Sequence, residues 1–196
     1  MHKNKALFLD RDGVINKYAP YVHTREAFHF LDGIFELCRA AQSLNYFLFV
    51  VTNQAGIARG YFTESEFLDL TDWMVAKFSE QQVQIARVYY CPYHPVHGLG
   101  KYKYDSPERK PNPGMFFRAR TDFDLDLTES FLIGDKLLDM EAGKAAGVGT
   151  NILLQSAAEN SGTEQSHFYV ANSHDEVRRK FFSGAVRKSS KSVPIA

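Results

Sequence analysis

Cysteine is scarce in this chain of 196 residues: only Cys38 and Cys91 are present, too few for a disulfide framework. Cys38 falls inside a helical pattern, where a thiol serves as a small apolar core residue. An excess of charge is missing as well, because Lys+Arg and Asp+Glu are equal at 23 each. No overall field therefore draws in a polynucleotide or an anionic lipid surface. No apolar run approaches the roughly 20 residues that span a bilayer. The first strand-like run begins too soon after Met1 for a secretory leader to precede it. The resulting expectations are cytoplasmic residence, no membrane partner, no nucleic-acid partner and a monomer.

What the chain does have is an ordinary globular balance, 44% hydrophobic and 23% charged. Its length suits one core rather than two, so a single domain is expected over 1–186. The terminal "RKSSKSVPIA" (187–196) reads as a mobile tail. Apolar runs bounded by turn residues recur as "ALFL" (6–9), "YFLFVV" (46–51), "ARVYY" (86–90), "SFLIG" (130–134) and "TNILL" (150–154). They do not alternate with polar residues, as expected of strands covered on both faces in a parallel sheet.

Helical patterns lie between the runs. "IFELCRAAQSL" (34–44) carries one apolar stripe, "TESEFLDLTDWMVAKF" (63–78) opens with a Thr63–Glu66 capping box, and "NPGMFFRAR" (112–120) opens with an Asn cap and a proline at the first helical position. Strand alternating with helix predicts an α/β fold with a doubly wound, Rossmann-like parallel sheet. Such sheets bind ligands beyond the carboxyl ends of their strands. "QSAAENSGTEQSH" (155–167) and the basic "RRKFF" (178–182) carry no assigned role and read as a loop and a surface helix.

The strand ends concentrate chemistry. The first run ends in "LDRDGVIN", which puts Asp10 and Asp12 together before Gly13; alone, this is also the pattern of an Asp-Gly turn. The second ends in "VVTNQAGIARG", where Thr52, Asn53, Gln54 and Gly56 offer a hydroxyl, amides and backbone N–H groups suited to a phosphate cradle. The third leads through a long loop to "ERKPNPGM", with Arg109 and Lys110 before a helix, and the fourth ends in "LIGDKLLDMEAG", with Asp135, Lys136 and Asp139. Each signal has a bland reading as a solvated turn or helix start. All four fall where an open α/β sheet builds its site.

Together these residues resemble the haloacid dehalogenase superfamily of aspartate-nucleophile phosphotransferases. "DRDG" matches the first motif, Thr52 the second, Lys110 the third and "GDKLLD" the fourth. The stretches "YVHTREAFHFLDG", "VVTNQAGIARGYFTESEF", "YYCPYHP" and "RKPNPGM" are similar, more narrowly, to the D-glycero-D-manno-heptose 1,7-bisphosphate 7-phosphatases, whose relatives include histidinol-phosphate phosphatase. The resemblance implies a magnesium-dependent sugar-bisphosphate phosphatase serving surface-glycan synthesis. It further implies Asp10 as nucleophile and Asp12 as general acid and base, with Thr52 and Lys110 on the phosphoryl oxygens. Mg²⁺ would be held by Asp10, the Asp12 carbonyl and Asp135. Asp12 is expected to have a second carboxylate beside it. Arg11, Asn53, Gln54, Ala55, Arg109 and Lys136, together with the segment Tyr18, Ala19, Pro20 and Tyr21, would border the substrate. The intervals between motifs are too short for a large cap.

The loop "CPYHPVHGLGKYKYDSPERK" (91–110) departs from the resemblance. Heptose phosphatases carry zinc there on a Cys-x-His pair and a later Cys-x-Cys pair. Here Cys91 remains, while Tyr93, Ser106 and Glu108 occupy the other three positions. Zinc is not expected, and Tyr93, Tyr102 and Tyr104 are expected to hold the loop by packing and phenol hydrogen bonds; His94 and His97 leave a different metal set open. Two readings from other classes stand beside the phosphatase: a silent sugar-phosphate-binding domain and a nucleic-acid end-processing protein.

Overall fold

A computed structural model of the chain describes residues 3–155 and 167–184. The tail expected at 187–196 and nearly all of the loop expected at 155–167 lie outside the described residues. Six strands, β1 (Lys5–Leu9), β2 (Tyr46–Asn53), β3 (Ile85–Cys91), β4 (Phe131–Gly134), β5 (Thr150–Leu154) and β6 (Tyr169–Ala171), form one sheet in the order β3-β2-β1-β4-β5-β6. Every pairing is parallel. The helices are α1 (Ile34–Ser43), α2 (Ala55–Ala58), α3 (Glu64–Glu80), α4 (Gly114–Phe123), α5 (Leu137–Ala146) and α6 (His174–Phe181). This is the doubly wound fold that the apolar runs predict. β1 pairs with both β2 and β4, so the strand order reverses there and a crevice opens above their carboxyl ends.

The lack of alternation in β1 has the expected cause. Leu7 and Leu9 enter a core with Ile34 and Leu37 of α1, Phe78 of α3 and Val177 of α6, whereas Ala6 and Phe8 enter a second core with Met115 and Phe116 of α4 and Met140 of α5. Each fully buried large apolar side chain contributes about 1.5–3 kcal/mol. With both sides of β1 packed, Asp10, which follows it directly, has little freedom. Its N–H is also tied to the Ile133 carbonyl of β4 at 2.9 Å.

Local signals mostly hold. Thr63 caps α3 by accepting from the Glu66 N–H, while the Glu66 carboxylate accepts from the Thr63 N–H at 2.7 Å. The start expected for α4 is corrected: Pro113 is its N-cap, and the Asn112 amide instead donates to the Ser106 carbonyl at 3.1 Å. The surface helix expected at 178–182 is only half exposed in character, because Phe182 is buried against Tyr46 and Phe131. The stretch from β3 to α4 contains only a 3-10 turn at Gly100–Tyr102, so no large cap covers the crevice among the described residues. No helix among the described residues is long and apolar enough to cross a membrane.

His174 opens α6 and is buried, with Nδ1 bonded to the Asp32 carbonyl at 3.1 Å. Burial lowers its pKa, against the pull of that carbonyl. The unfolded chain thus binds the extra proton first as pH falls, so this contribution to stability is present above about pH 6.5 and is lost below it, by at most about 1.4 kcal/mol per unit. Urea unfolding between pH 7.5 and 5 should show a steeper loss in the wild type than in His174→Gln. Equal slopes would remove His174 from the account.

Candidate active site

Four strand ends meet at the switch point, and a lysine lies at the centre. Lys110 is 2% exposed. Its Nζ contacts Asp10 Oδ1 at 2.8 Å, Asp139 Oδ1 at 2.6 Å and the Val51 carbonyl at 2.8 Å. Burial works against the ammonium, but the charges of Asp10 and Asp139 outweigh it and raise its pKa. Asn53 fixes the Lys110 backbone from both sides: its amide donates to the Lys110 carbonyl at 2.9 Å and its Oδ1 accepts from the Lys110 N–H at 3.0 Å. Of the residues expected to converge, Asp10 meets Lys110 and Asp135, and Asn53, expected as a substrate contact, positions Lys110 through its side chain.

The carboxylates fit a hard cation. Single oxygens of Asp10, Asp135 and Asp139 lie within 4.8 Å of one another. Asp135 Oδ1 is buried without a hydrogen-bond partner. Burial first, and then the charge of Asp10, push the Asp135 carboxyl up to about 7, against the opposing pull of Lys136, the response of a buried acid crowded by another carboxylate. Oxygen donors of this kind suit magnesium. Asp139, which sequence reading placed at the strand end but gave no role, is held by Lys110 and by the Lys136 N–H at 3.1 Å. Its spacing from Asp135 in "GDKLLD" is the signal that was available for it.

Gly13 explains how the turn after β1 comes so near. It has φ +90°, and a Cβ there would lie 2.3 Å from Asp135 Oδ2. Gly13→Ala is expected to displace Asp135 and weaken Mg²⁺ binding by about tenfold or more. Calorimetric titration with MgCl₂ checks this, and an unchanged affinity would show that Asp135 does not depend on the turn.

Asp12 differs from expectation. Where the sequence reading put a second carboxylate, the Arg11 guanidinium contacts it at 2.8 and 2.9 Å, joined by Asn16 Nδ2 at 3.0 Å and Gln54 Nε2 at 3.4 Å. Arg11 is 2% exposed and also donates to the Val22 carbonyl. Its side chain faces inward, onto Asp12 and the Val22 carbonyl. The Gln54 N–H donates to the Cys91 carbonyl and its side-chain amide to Thr52 Oγ1, so its backbone does not offer a free cradle N–H. Ala55 opens α2.

At the rim, Tyr18 lies under Lys136, whose Nζ is 4.6 Å from the ring and 3.4 Å from Asp135 Oδ2. Ala19 and Pro20 are exposed, and Tyr21 packs edge-on against Tyr61 at 4.5 Å. Arg109 donates to the Tyr93 carbonyl at 3.1 Å. Arg59, which sequence reading missed, has a buried Nε with no hydrogen-bond partner, and its charge joins that of Arg109 in lowering the pKa of His94, after burial. In the loop, Tyr93 packs on Tyr102 and Tyr104 at 6.1 and 5.5 Å, as expected. Ser106 Oγ accepts from the Glu108 N–H, and Glu108 pairs with Arg118.

Comparison with known proteins places the chain in a family. A HAD-hydrolase-like family profile matches residues 108–177. The chain is 58% identical over 152 residues to D-glycero-alpha-D-manno-heptose-1,7-bisphosphate 7-phosphatase of Burkholderia mallei, covering 78% of this chain and 80% of that one. It is 50% identical over 151 residues to the D-glycero-beta-D-manno-heptose enzyme of Vibrio cholerae, covering 77% and 81%. A solved structure of D,D-heptose 1,7-bisphosphate phosphatase from B. bronchiseptica, complexed with magnesium and phosphate, aligns with a TM-score of 0.75 at 26% identity, covering 89% of this chain and 96% of that one. With the four strand ends converging as they do, the chain belongs to the heptose 1,7-bisphosphate 7-phosphatase family of haloacid dehalogenase-like hydrolases, which are phosphoric monoester hydrolases.

Proposed function

We propose that the chain hydrolyses the 7-phosphate of D-glycero-D-manno-heptose 1,7-bisphosphate through an aspartyl-phosphate on Asp10. The observation that carries this reading is the buried Lys110 bridge between Asp10 and Asp139, with Asp135 beside them. A carboxylate approaching a phosphate dianion at about 4 Å, with an effective dielectric near 20, meets roughly 8 kcal/mol of repulsion, on the order of six decades in rate. Counter-charge is therefore the main requirement. Lys110 supplies one positive charge; Asp10 and Asp135, with the Asp12 carbonyl, would hold Mg²⁺, which would further neutralise the phosphoryl oxygens. Asp139 keeps Lys110 in place.

The Asp10 oxygen not held by Lys110 attacks phosphorus, and the ester bond to the sugar oxygen breaks. Asp12, oriented by Arg11 and Asn16, delivers a proton to the leaving oxygen and then takes one from the water that cleaves the acyl phosphate. Thr52 steadies the phosphoryl group. Arg109 and Lys136 face the remote phosphate, which a guanidinium takes bidentately. A monomer in the cytoplasm, acting on a small diffusible sugar, is the setting this reading implies.

A substrate panel tests the proposal. With Mg²⁺ present, kcat/KM should be highest on one or both anomers of the heptose bisphosphate and at least about tenfold lower on histidinol phosphate. Higher turnover of histidinol phosphate would replace the substrate assignment. Absence of phosphate release from every ester would favour a silent binding domain, and steeply salt-dependent oligonucleotide binding an end-processing role.

A further inference from the structure

We propose that Glu64 is a positioning residue: its carboxylate clamps the loop 92–110 against the sheet and thereby places Arg109 for the remote phosphate. Glu64 is the first residue of α3. One of its oxygens accepts from the Tyr90 hydroxyl of β3 at 2.7 Å and the other from the Tyr102 hydroxyl of the loop at 2.8 Å. Helix, sheet and loop are thus joined through one carboxylate. Burial and then Glu64 raise the pKa of both phenols, which keeps each of them a donor.

From Tyr102 the connection continues to Arg109 through His94 and Tyr93. The Tyr102 carbonyl accepts from the His94 N–H at 3.1 Å, its ring lies 6.1 Å from that of Tyr93, and the Tyr93 carbonyl accepts from Arg109. The clamp is anchored beneath by Phe67, whose ring is 4.6 Å from that of Tyr90. Releasing Tyr102 frees the middle of the loop, while Lys110 at its end stays held by Asn53, Asp10 and Asp139, so the nucleophile and its lysine should keep their geometry. The predicted effect is on recognition of the second phosphate and not on the chemical step.

This inference rests on the bisphosphate reading, and its test has one arm independent of substrate. Steady-state constants are measured on the heptose bisphosphate and on p-nitrophenyl phosphate for the wild type, Glu64→Ala, Glu64→Gln and Tyr102→Phe. Tryptic cleavage at the exposed Lys101 and Lys103 is timed in parallel. Glu64→Ala and Tyr102→Phe should raise KM for the bisphosphate about tenfold with kcat within about twofold, leave the aryl phosphate constants unchanged, and speed loop cleavage. Glu64→Gln, which keeps an acceptor oxygen, should recover part of the loss. Equal losses on both substrates with a matching drop in thermal midpoint would mean that Glu64 only supports the fold and would overturn the proposal. Unchanged cleavage rates would overturn it too, even if the wild type proved to prefer another phosphate ester.

Discussion

Asp10→Asn is expected to release no inorganic phosphate from the heptose bisphosphate above background, a loss on the order of 10⁵-fold or more, and to form no phosphoenzyme. The substitution keeps the shape of the side chain and its place after β1, where the N–H is bonded to Ile133. It removes the anionic oxygen that bonds phosphorus. The fold should tolerate the change, because Asp10 lies close to two other carboxylates, Asp135 and Asp139, and neutralising one of the three relieves repulsion. Acid-quenched wild type with substrate should carry the added phosphoryl mass on the peptide containing Asp10, and the variant should not. Wild-type turnover in purified Asp10→Asn protein would refute the nucleophile assignment, whereas loss of turnover with a persisting mass adduct would move the nucleophile elsewhere.

Much of this site was legible because parallel sheets leave a plain record in sequence. The unbroken apolar runs mark strands covered on both sides, and each run ends at the crevice, so Asp10, Thr52 and Asp135 could be placed together without coordinates. The contacts that the sequence does not disclose have a common physical origin. Whether the Gln54 N–H is free depends on how β2 meets β3, and that register gives it to the Cys91 carbonyl. Whether the Arg11 guanidinium reaches outward depends on the path of the following loop, which brings the Val22 carbonyl back to it. Asn53 looks like any polar strand end until Lys110, which is 57 residues away, is seen to return beside it. β6, three residues long, is too short to show a period. Glu64 opens an ordinary helix and Arg59 follows the short α2, and only tertiary contact gives them partners or denies them.

Lys110→Met should be the most destabilising single substitution in the site. The lysine ammonium is the shared counter-charge of Asp10 and Asp139, whose side chains are 9% and 1% exposed, and methionine fills most of the volume without the charge. Two buried carboxylates then face each other, with Asp135 also near. Breaking a buried pair in this way costs about 3–5 kcal/mol, a large part of the roughly 5–15 kcal/mol that holds a typical domain folded. Activity should fall by at least about 10²-fold even under conditions where the variant is folded, since a charge aimed at the phosphoryl oxygens is lost. Adding Asp139→Asn separates the two effects: it removes one of the stranded charges, so the double variant should regain stability over Lys110→Met in urea unfolding while remaining inactive. A stability loss below about 1 kcal/mol for Lys110→Met would show that water or a cation already compensates Asp10 and Asp139. Recovery of turnover in the double variant would show that Lys110 serves the fold and not the phosphoryl group.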